Sequence, residues 1–424
     1  MINSFNLTNR RYSVCYTSNQ MKQAYLQVLL AGCGLLAAAG PLAAQSWTLT
    51  GAATNVQWSA IASSADGRKL VATVADAGIW LSTNGGRTWT QSPAPSKRWV
   101  SIASSADGTR LAAAETSGGA VYTSANSGLS WTAGSVLNST LKSVASSADG
   151  RRLVAAAAGG SVYTSTDSGL NWTSHPLALT FAAWAASSAD GTRLVIAGND
   201  GYVITSSDSG TTWNAAVPLG TMLSCVASSA DGSKLVVGGY QTIYLSKDAG
   251  ATWSAANPPN ANHMIIGAVA CSADGSRLVA TEGITVVSQY GLGDIIASMD
   301  AGVTWTATDA PLMYWTSIAS SADGNRLAGA AAWNPRPLVG GTPGGIGTSQ
   351  TPPAPALSLT QSDGQFRLSW LVPSTDFQLQ HSADLSSAGW ENVPEIPSLN
   401  LTNLQWELLL SPVHSQAFYR VQLR

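Results

Sequence analysis

Charge is scarce in this chain. Asp, Glu, Lys and Arg make up 10% of 424 residues, and 23 acidic against 21 basic residues leave a formal net charge of −2. That balance gives no electrostatic case for nucleic acid or for an anionic membrane surface. Cysteine is scarcer, with four residues, and only Cys225 and Cys271 follow the N-terminal segment. They hold non-equivalent places in the repeats described below, so free thiols are expected rather than a disulfide. Long amphipathic helical patterns are missing after residue 45, which excludes a helical architecture. Also missing are His/Cys/carboxylate clusters at metal-ligand spacing, a Gly-x-Ser-x-Gly elbow and a phosphate-binding loop. No metal and no cofactor is expected.

What is present points to β-structure. Gly is abundant, Trp reaches 16, and short apolar runs alternate with turn residues. The stretch "MKQAYLQVLLAGCGLLAAAGPLAAQS" (21–46) has one basic residue, an apolar run and then small residues. It reads as a signal peptide, with Met21 as the start and cleavage after Ala44, and not as a span of the mature chain. "LAGC" also fits a lipobox, in which Cys33 would carry the lipid anchor. The expectation is an exported monomer, secreted or held in the periplasm or cell envelope of a bacterium.

Two motifs repeat in step. The octet "STDSGLNW" (165–172) has relatives "STNGGRTW", "SANSGLSW", "SSDSGTTW", "SKDAGATW" and "SMDAGVTW", closing at Trp89, Trp131, Trp213, Trp253 and Trp305. "SSADG" begins at Ser63, Ser104, Ser146, Ser187, Ser228 and Ser320, with "CSADG" at Cys271. A period near 40 with four short strands per unit predicts a β-propeller. In the unit from Leu141, strand A is "LKSVAS", Ala-Asp-Gly closes a turn, strand B is "RRLVAAA", Gly159-Gly160 turns again, strand C is "SVYTS", and the octet leads into strand D, "NWTS". Ala precedes each SSADG copy, at Ala62, Ala103, Ala145, Ala186, Ala227, Ala270 and Ala319. Such small residues suit the crowded innermost strand. Seven strand-A units stand against six octets. The missing last strand D is supplied by "SWTLT" (46–50), which closes a seven-bladed ring and removes its sheet edge.

Ser-x-Asp-x-Gly-x-x-Trp resembles the Asp-box, or BNR repeat, of sialidases, other glycoside hydrolases, sortilin-type receptors and photosystem II assembly factors. The resemblance covers residues 46 to about 350. It implies that Asp167, Asp208, Asp248 and Asp300 tie the C–D turns and that each Trp packs between strands. Asn84 and Asn126 replace the aspartate in two copies. A hydrogen-bonded turn tolerates that exchange and an acid catalyst does not, so the octet reads as scaffold. Each SSADG aspartate has Lys or Arg three positions on (Lys69, Arg110, Arg152, Arg193, Lys234, Arg277, Arg326), which reads as charge pairing within a solvent-facing hairpin.

The A–B and C–D turns share one face of a propeller, so both motifs lie together there. The other face carries the B–C and D–A connections, and function on a rigid scaffold usually sits in such loops. Two are long: 281–294 in blade 6 and 330–345 in blade 7. With the neighbouring D–A segments they gather His263, Glu282, Tyr290, Asp294, Tyr314, Trp333, Asn334 and Arg336, a set suited to a sugar or a peptide. The plain alternative is that these insertions cap the ring and Trp333 plugs its mouth. The sialidase pattern needs three arginines on one carboxylate. Only Arg98 and Arg336 lie near the loop face, so that triad cannot form.

After Gly345 the composition changes. Residues 351–355 are a Pro-rich linker, and strand-like runs over 356–424 predict a small β-sandwich resembling fibronectin III modules. The domain reading is 1–45 extension and signal peptide, 46–350 propeller, 351–355 linker and 356–424 sandwich. The function expected is a non-catalytic binding propeller for a protein or glycan, with a glycoside hydrolase or an assembly factor as alternatives.

Overall fold

The computed structural model describes residues 14–17, 47–177, 183–256, 258, 264–284, 293–333, 343–350, 358–362, 365–371, 377–382, 391–393, 397–400, 404–410 and 416–423. The expected signal segment with Cys33, the linker at 351–355, and His263, Tyr290, Asn334 and Arg336 lie outside the described residues. The chain forms two compact units, one of Ala44–Thr351 with Leu401–Leu404 and one of the remaining residues.

The larger unit is a seven-bladed propeller of four-stranded antiparallel sheets. The A strands are Trp58–Ser63, Trp99–Ser104, Leu141–Ser146, Ala183–Ser187, Leu223–Ser228, Met264–Cys271 and Trp315–Ser320. In each sheet the order runs A-B-C-D. Strand B is buried along its length in blades 1 to 5, and Ala72, Ala113 and Ala155 at its middle have no exposure. Ring closure follows the sequence expectation. Trp47–Leu49 completes blade 7, pairing Trp47 with Ser349, Thr48 with Thr348 and Leu49 with Gly347. Trp47 packs on Trp315, with ring centroids 5.9 Å apart.

The Ala of each SSADG turn closes an inner hoop. The amide of Ala65 donates to the carbonyl of Ala106, and the chain of bonds continues through Ala148, Ala189, Ala230, Ala273 and Ala322 back to Ala65, at 2.6–2.8 Å. Seven bonds thus join seven blades around the axis. A larger side chain at these positions would crowd its neighbours there.

The charges of Arg152 and Lys234 act on Asp149 and Asp231 of their own hairpins, as the sequence reading has it, but their hydrogen bonds go elsewhere. Arg152 donates to the carbonyl of Asp190, Lys234 to that of Asp274 and Arg326 to that of Asp66. Each reaches the next blade. Their stems also lie over the turn glycine of that blade: a Cβ on Gly191 would sit 2.8 Å from the Cβ of Arg152. The long stems cover the neighbouring turn while the charged head stays near water.

The smaller unit has two four-stranded sheets. One is ordered Val14–Thr17, Gln416–Leu423, Phe377–Ser382, Glu391–Asn392. The other is Ser358–Ser362, Gln365–Leu371, Gln405–Leu410, Ser398–Asn400, with Arg367 and Glu407 3.3 Å apart. Part of the N-terminal extension, read from sequence as lying outside any domain, therefore supplies a strand: Val14 pairs with Tyr419.

Candidate functional site

The repeated motifs spend their polar groups internally. In the octet of blade 3 the Ser165 hydroxyl donates to Asp167 Oδ1 at 2.8 Å and accepts from the Gly169 amide at 2.9 Å. Asp167 also accepts from the amide and side chain of Asn171, at 2.9 and 2.7 Å. Ser168 and Gly169 have φ of 63° and 87°, so the tight turn needs Gly at the second position. The bond from the Asn171 amide, foremost, holds the Asp167 carboxyl below its ordinary range. Asp208 and Asp248 are held down likewise, first by the Thr212 and Thr252 hydroxyls. Asp300 accepts from Ser298 and from Thr304 in the same pattern. Asn84 reproduces it with a neutral amide, accepting from Ser82 and Thr88. With carboxyls held below their ordinary range or replaced by a neutral amide, each of these groups serves as a turn clamp.

The SSADG turns are closed in the same manner. The buried Ser147 hydroxyl donates to Asp149 at 2.6 Å and accepts from the Arg152 amide at 3.0 Å.

The loop face is built otherwise. Blades 6, 7 and 1 are stitched along it by backbone bonds. The Glu282 amide donates to the Asp294 carbonyl at 2.8 Å, Gly293 to Met313 at 3.0 Å, Ala332 to Tyr314 at 3.0 Å, and Trp333 to Val56 at 3.1 Å. The Gln57 side chain caps the Trp333 carbonyl at 2.6 Å. These bonds fix the backbone under two aromatic side chains that remain in solvent. Tyr314 is 46% exposed and Trp333 38%. Leu312 is exposed beside Tyr314 in the chain.

Glu282 does not join that aromatic pair. It is the fifth residue of blade 6 strand B (Leu278–Ile284). Leu278 and Ala280 pack with Cys225, Val236 and Ile243 of blade 5, whereas Val279 packs with Trp315 and Leu327 of blade 7. Strand alternation puts Glu282 on the blade 5 side. It is 2% exposed, and among the described residues neither carboxylate oxygen has a hydrogen-bond partner. Burial, with the Asp294 charge as the lesser cause, pushes its carboxyl up to about 7.

Three exposed residues on the same face were not singled out from sequence. Tyr202 opens strand C of blade 4, Met222 precedes strand A of blade 5, and Tyr240 lies in the blade 5 B–C loop. The Tyr240 amide donates to the Met222 carbonyl at 3.0 Å, which joins the last two. Their loops have ordinary length, so loop length gave no sign of them.

With this geometry in hand, similarity to solved structures can be judged. No protein-family model matches the chain, and no curated protein matches its sequence. YCF48 from Cyanidioschyzon merolae aligns at a TM-score of 0.55 and 13% identity, over 72% of this chain and 99% of its own. YCF48 bound to D1 peptide aligns at 0.54 and 14%, over 74% and 98%. The GH74 xyloglucanase of Xanthomonas campestris aligns at 0.53 and 13%, over 77% of this chain and 59% of its own. What they share is the fold. At such identity an assembly factor and a hydrolase are equally compatible with it.

Proposed function

We propose that the chain is an exported, non-catalytic binding propeller that recognises a protein segment through the loop face of blades 6 and 7. The observation that carries this reading is the contrast between the two faces. The Ser and Asp side chains of the repeated motifs are bonded within their turns, while Tyr314 and Trp333 stay exposed on backbone held at both ends. Rigid, exposed aromatics are the usual anchors of binding sites. Asp294 gives its backbone carbonyl to the stitched path while its side chain lies with Glu282 on the blade 5 side, and Arg336, Tyr290 and His263 extend the proposed patch in sequence. The octets fit the Asp-box pattern as structural repeats. The peptide-bound YCF48 neighbour favours a peptide over a glycan as the first ligand to test. In this reading residues 21–44 are the export signal, with Cys33 as the alternative lipid anchor, and the two C-terminal sheets form a β-sandwich that in the mature chain lacks the Val14–Thr17 strand.

A hydrolase reading draws on one feature, the raised Glu282 carboxyl near Asp294, since glycosidases work with a pair of carboxyl groups. Glu282 is shielded on the blade 5 side, and a group must touch the glycosidic oxygen to protonate it. Binding is therefore the better-supported function.

The test is a peptide-display selection on the full chain, run beside a glycan array and a glycan hydrolysis screen. The proposal expects selected peptides whose affinity falls about 30-fold, roughly 2 kcal/mol, in Trp333→Ala. Glycan turnover abolished by Glu282→Gln would replace it with the hydrolase.

A further inference from the structure

We propose that Glu282 and Asp294, at the loop-face end of the contact between blades 5 and 6, form a binding site for a hard divalent cation, calcium above all. The starting point is an unmet demand. A buried carboxylate needs hydrogen bonds or an opposite charge. Glu282 is 2% exposed and both its oxygens lack a partner among the described residues.

Blade 2 supplies an internal control. Glu115 is the fifth residue of its strand B, the same place that Glu282 holds in blade 6. It is buried to the same degree. There the short loop folds back as a cap: the Ser117 amide donates to Glu115 Oε2 at 3.2 Å, and a Cβ on Gly118 would fall 2.2 Å from Oε1. Glutamate at this position is thus accommodated when the loop answers it. Blade 6 replaces the capping loop with a longer one and brings in Asp294, a second carboxylate, where a donor is wanted.

Both acids look the same way. Ile295 packs with the blade 7 cluster and Ile296 with the blade 5 cluster, so alternation places Asp294, one residue before Ile295, on the blade 5 side with Glu282. Their charges oppose each other, and among the influences acting on Glu282 no basic side chain offsets them. Among the described residues the surrounding elements offer no cation at this level. On the blade 5 side Cys225 is a thiol pushed by burial up to about 12. Lys234 and Asp231 stand at the opposite, turn-face end of blade 5, where Lys234 bonds the Asp274 carbonyl. Two carboxylates on one face of a strand pair suit Ca²⁺, which takes carboxylates in mono- or bidentate fashion and sheds water more readily than Mg²⁺. A cation at this place would compete with a proton for the Glu282 carboxylate.

Thermal unfolding of the full chain in chelator and in millimolar calcium tests this. At about pH 8 calcium should raise the wild-type melting temperature by roughly 4 °C, and at about pH 6 the rise should vanish as the proton takes over. Glu282→Gln should melt above wild type in chelator at about pH 8 and ignore calcium. Should that variant fail to fold, Asp294→Asn is expected to fold and lose most of the calcium response. Wild-type protein indifferent to calcium and magnesium at both pH values would overturn the site and leave a proton alone on Glu282. A Glu282→Gln variant as responsive as wild type would place the cation elsewhere and overturn it equally.

Discussion

Ser147→Ala removes one oxygen atom and tests whether the repeated turns are the scaffold. The Ser147 side chain is fully buried between strands A and B of blade 3. Its hydroxyl donates to Asp149 at 2.6 Å and accepts from the Arg152 amide at 3.0 Å. Alanine fits the same space, so no cavity or clash complicates the comparison. Two losses follow: a hydrogen bond to a charged acceptor, and a backbone N–H left without its partner. Each is typically worth one to a few kcal/mol, and together they should cost about 2–3 kcal/mol. Partial burial works to raise the Asp149 carboxyl, yet the Ser147 bond, with others, keeps it below its ordinary range. The substitution should therefore also let that carboxyl titrate higher. Ser146→Ala is the control. Its hydroxyl makes one bond, to the Ser147 carbonyl at 2.9 Å, and its loss should cost about 1 kcal/mol. Urea unfolding reads both as a shift of midpoint at constant slope. Equal costs for the two serines, or a Ser147→Ala cost under about 0.5 kcal/mol, would refute the reasoning.

Other predictions follow from the same structure. Asp167→Asn should leave stability nearly unchanged, because Asn84 and Asn126 already fill that role, whereas Asp167→Ala should lower the urea midpoint. Deleting residues 46–50 exposes the edge of blade 7, and light scattering should report association at concentrations where the intact chain is dispersed. In chelator, folded protein keeps the Glu282 proton up to about pH 7 while the unfolded chain releases it near 4.5. Folding takes up a proton in that window, so this group's contribution to stability falls as pH rises through it, by about 3 kcal/mol in full, and Glu282→Gln should abolish that slope.

The sequence displayed the ring because its signals were local and repeated. Seven strand-A units against six octets predict blade count and closure together, and Trp47 pairs with Ser349 as that count requires. Turn chemistry was equally readable, since Asp and Gly act within a few residues of themselves. Partners across blades were not. The Ala65-to-Ala322 hoop uses backbone groups that every residue possesses, and sequence shows only that the side chain is small. Arg152 looked like a hairpin partner because its target, the Asp190 carbonyl, lies 38 residues away. The site residues met the same difficulty. Loop length pointed to Tyr314 and Trp333, which are exposed, but placed Glu282 with them. Strand alternation against the neighbouring blade turns Glu282 toward blade 5, and that requires knowing which blade each face meets.

The central claim is that one face of this propeller is scaffold and the other binds. Hydrogen–deuterium exchange on the full chain, free and saturated with a peptide selected on it, tests that most directly. The account predicts new protection at residues 310–315 and 331–333, with exchange at the octets 82–89, 124–131 and 165–172 unchanged. Protection confined to those octets and to the SSADG turns would contradict it.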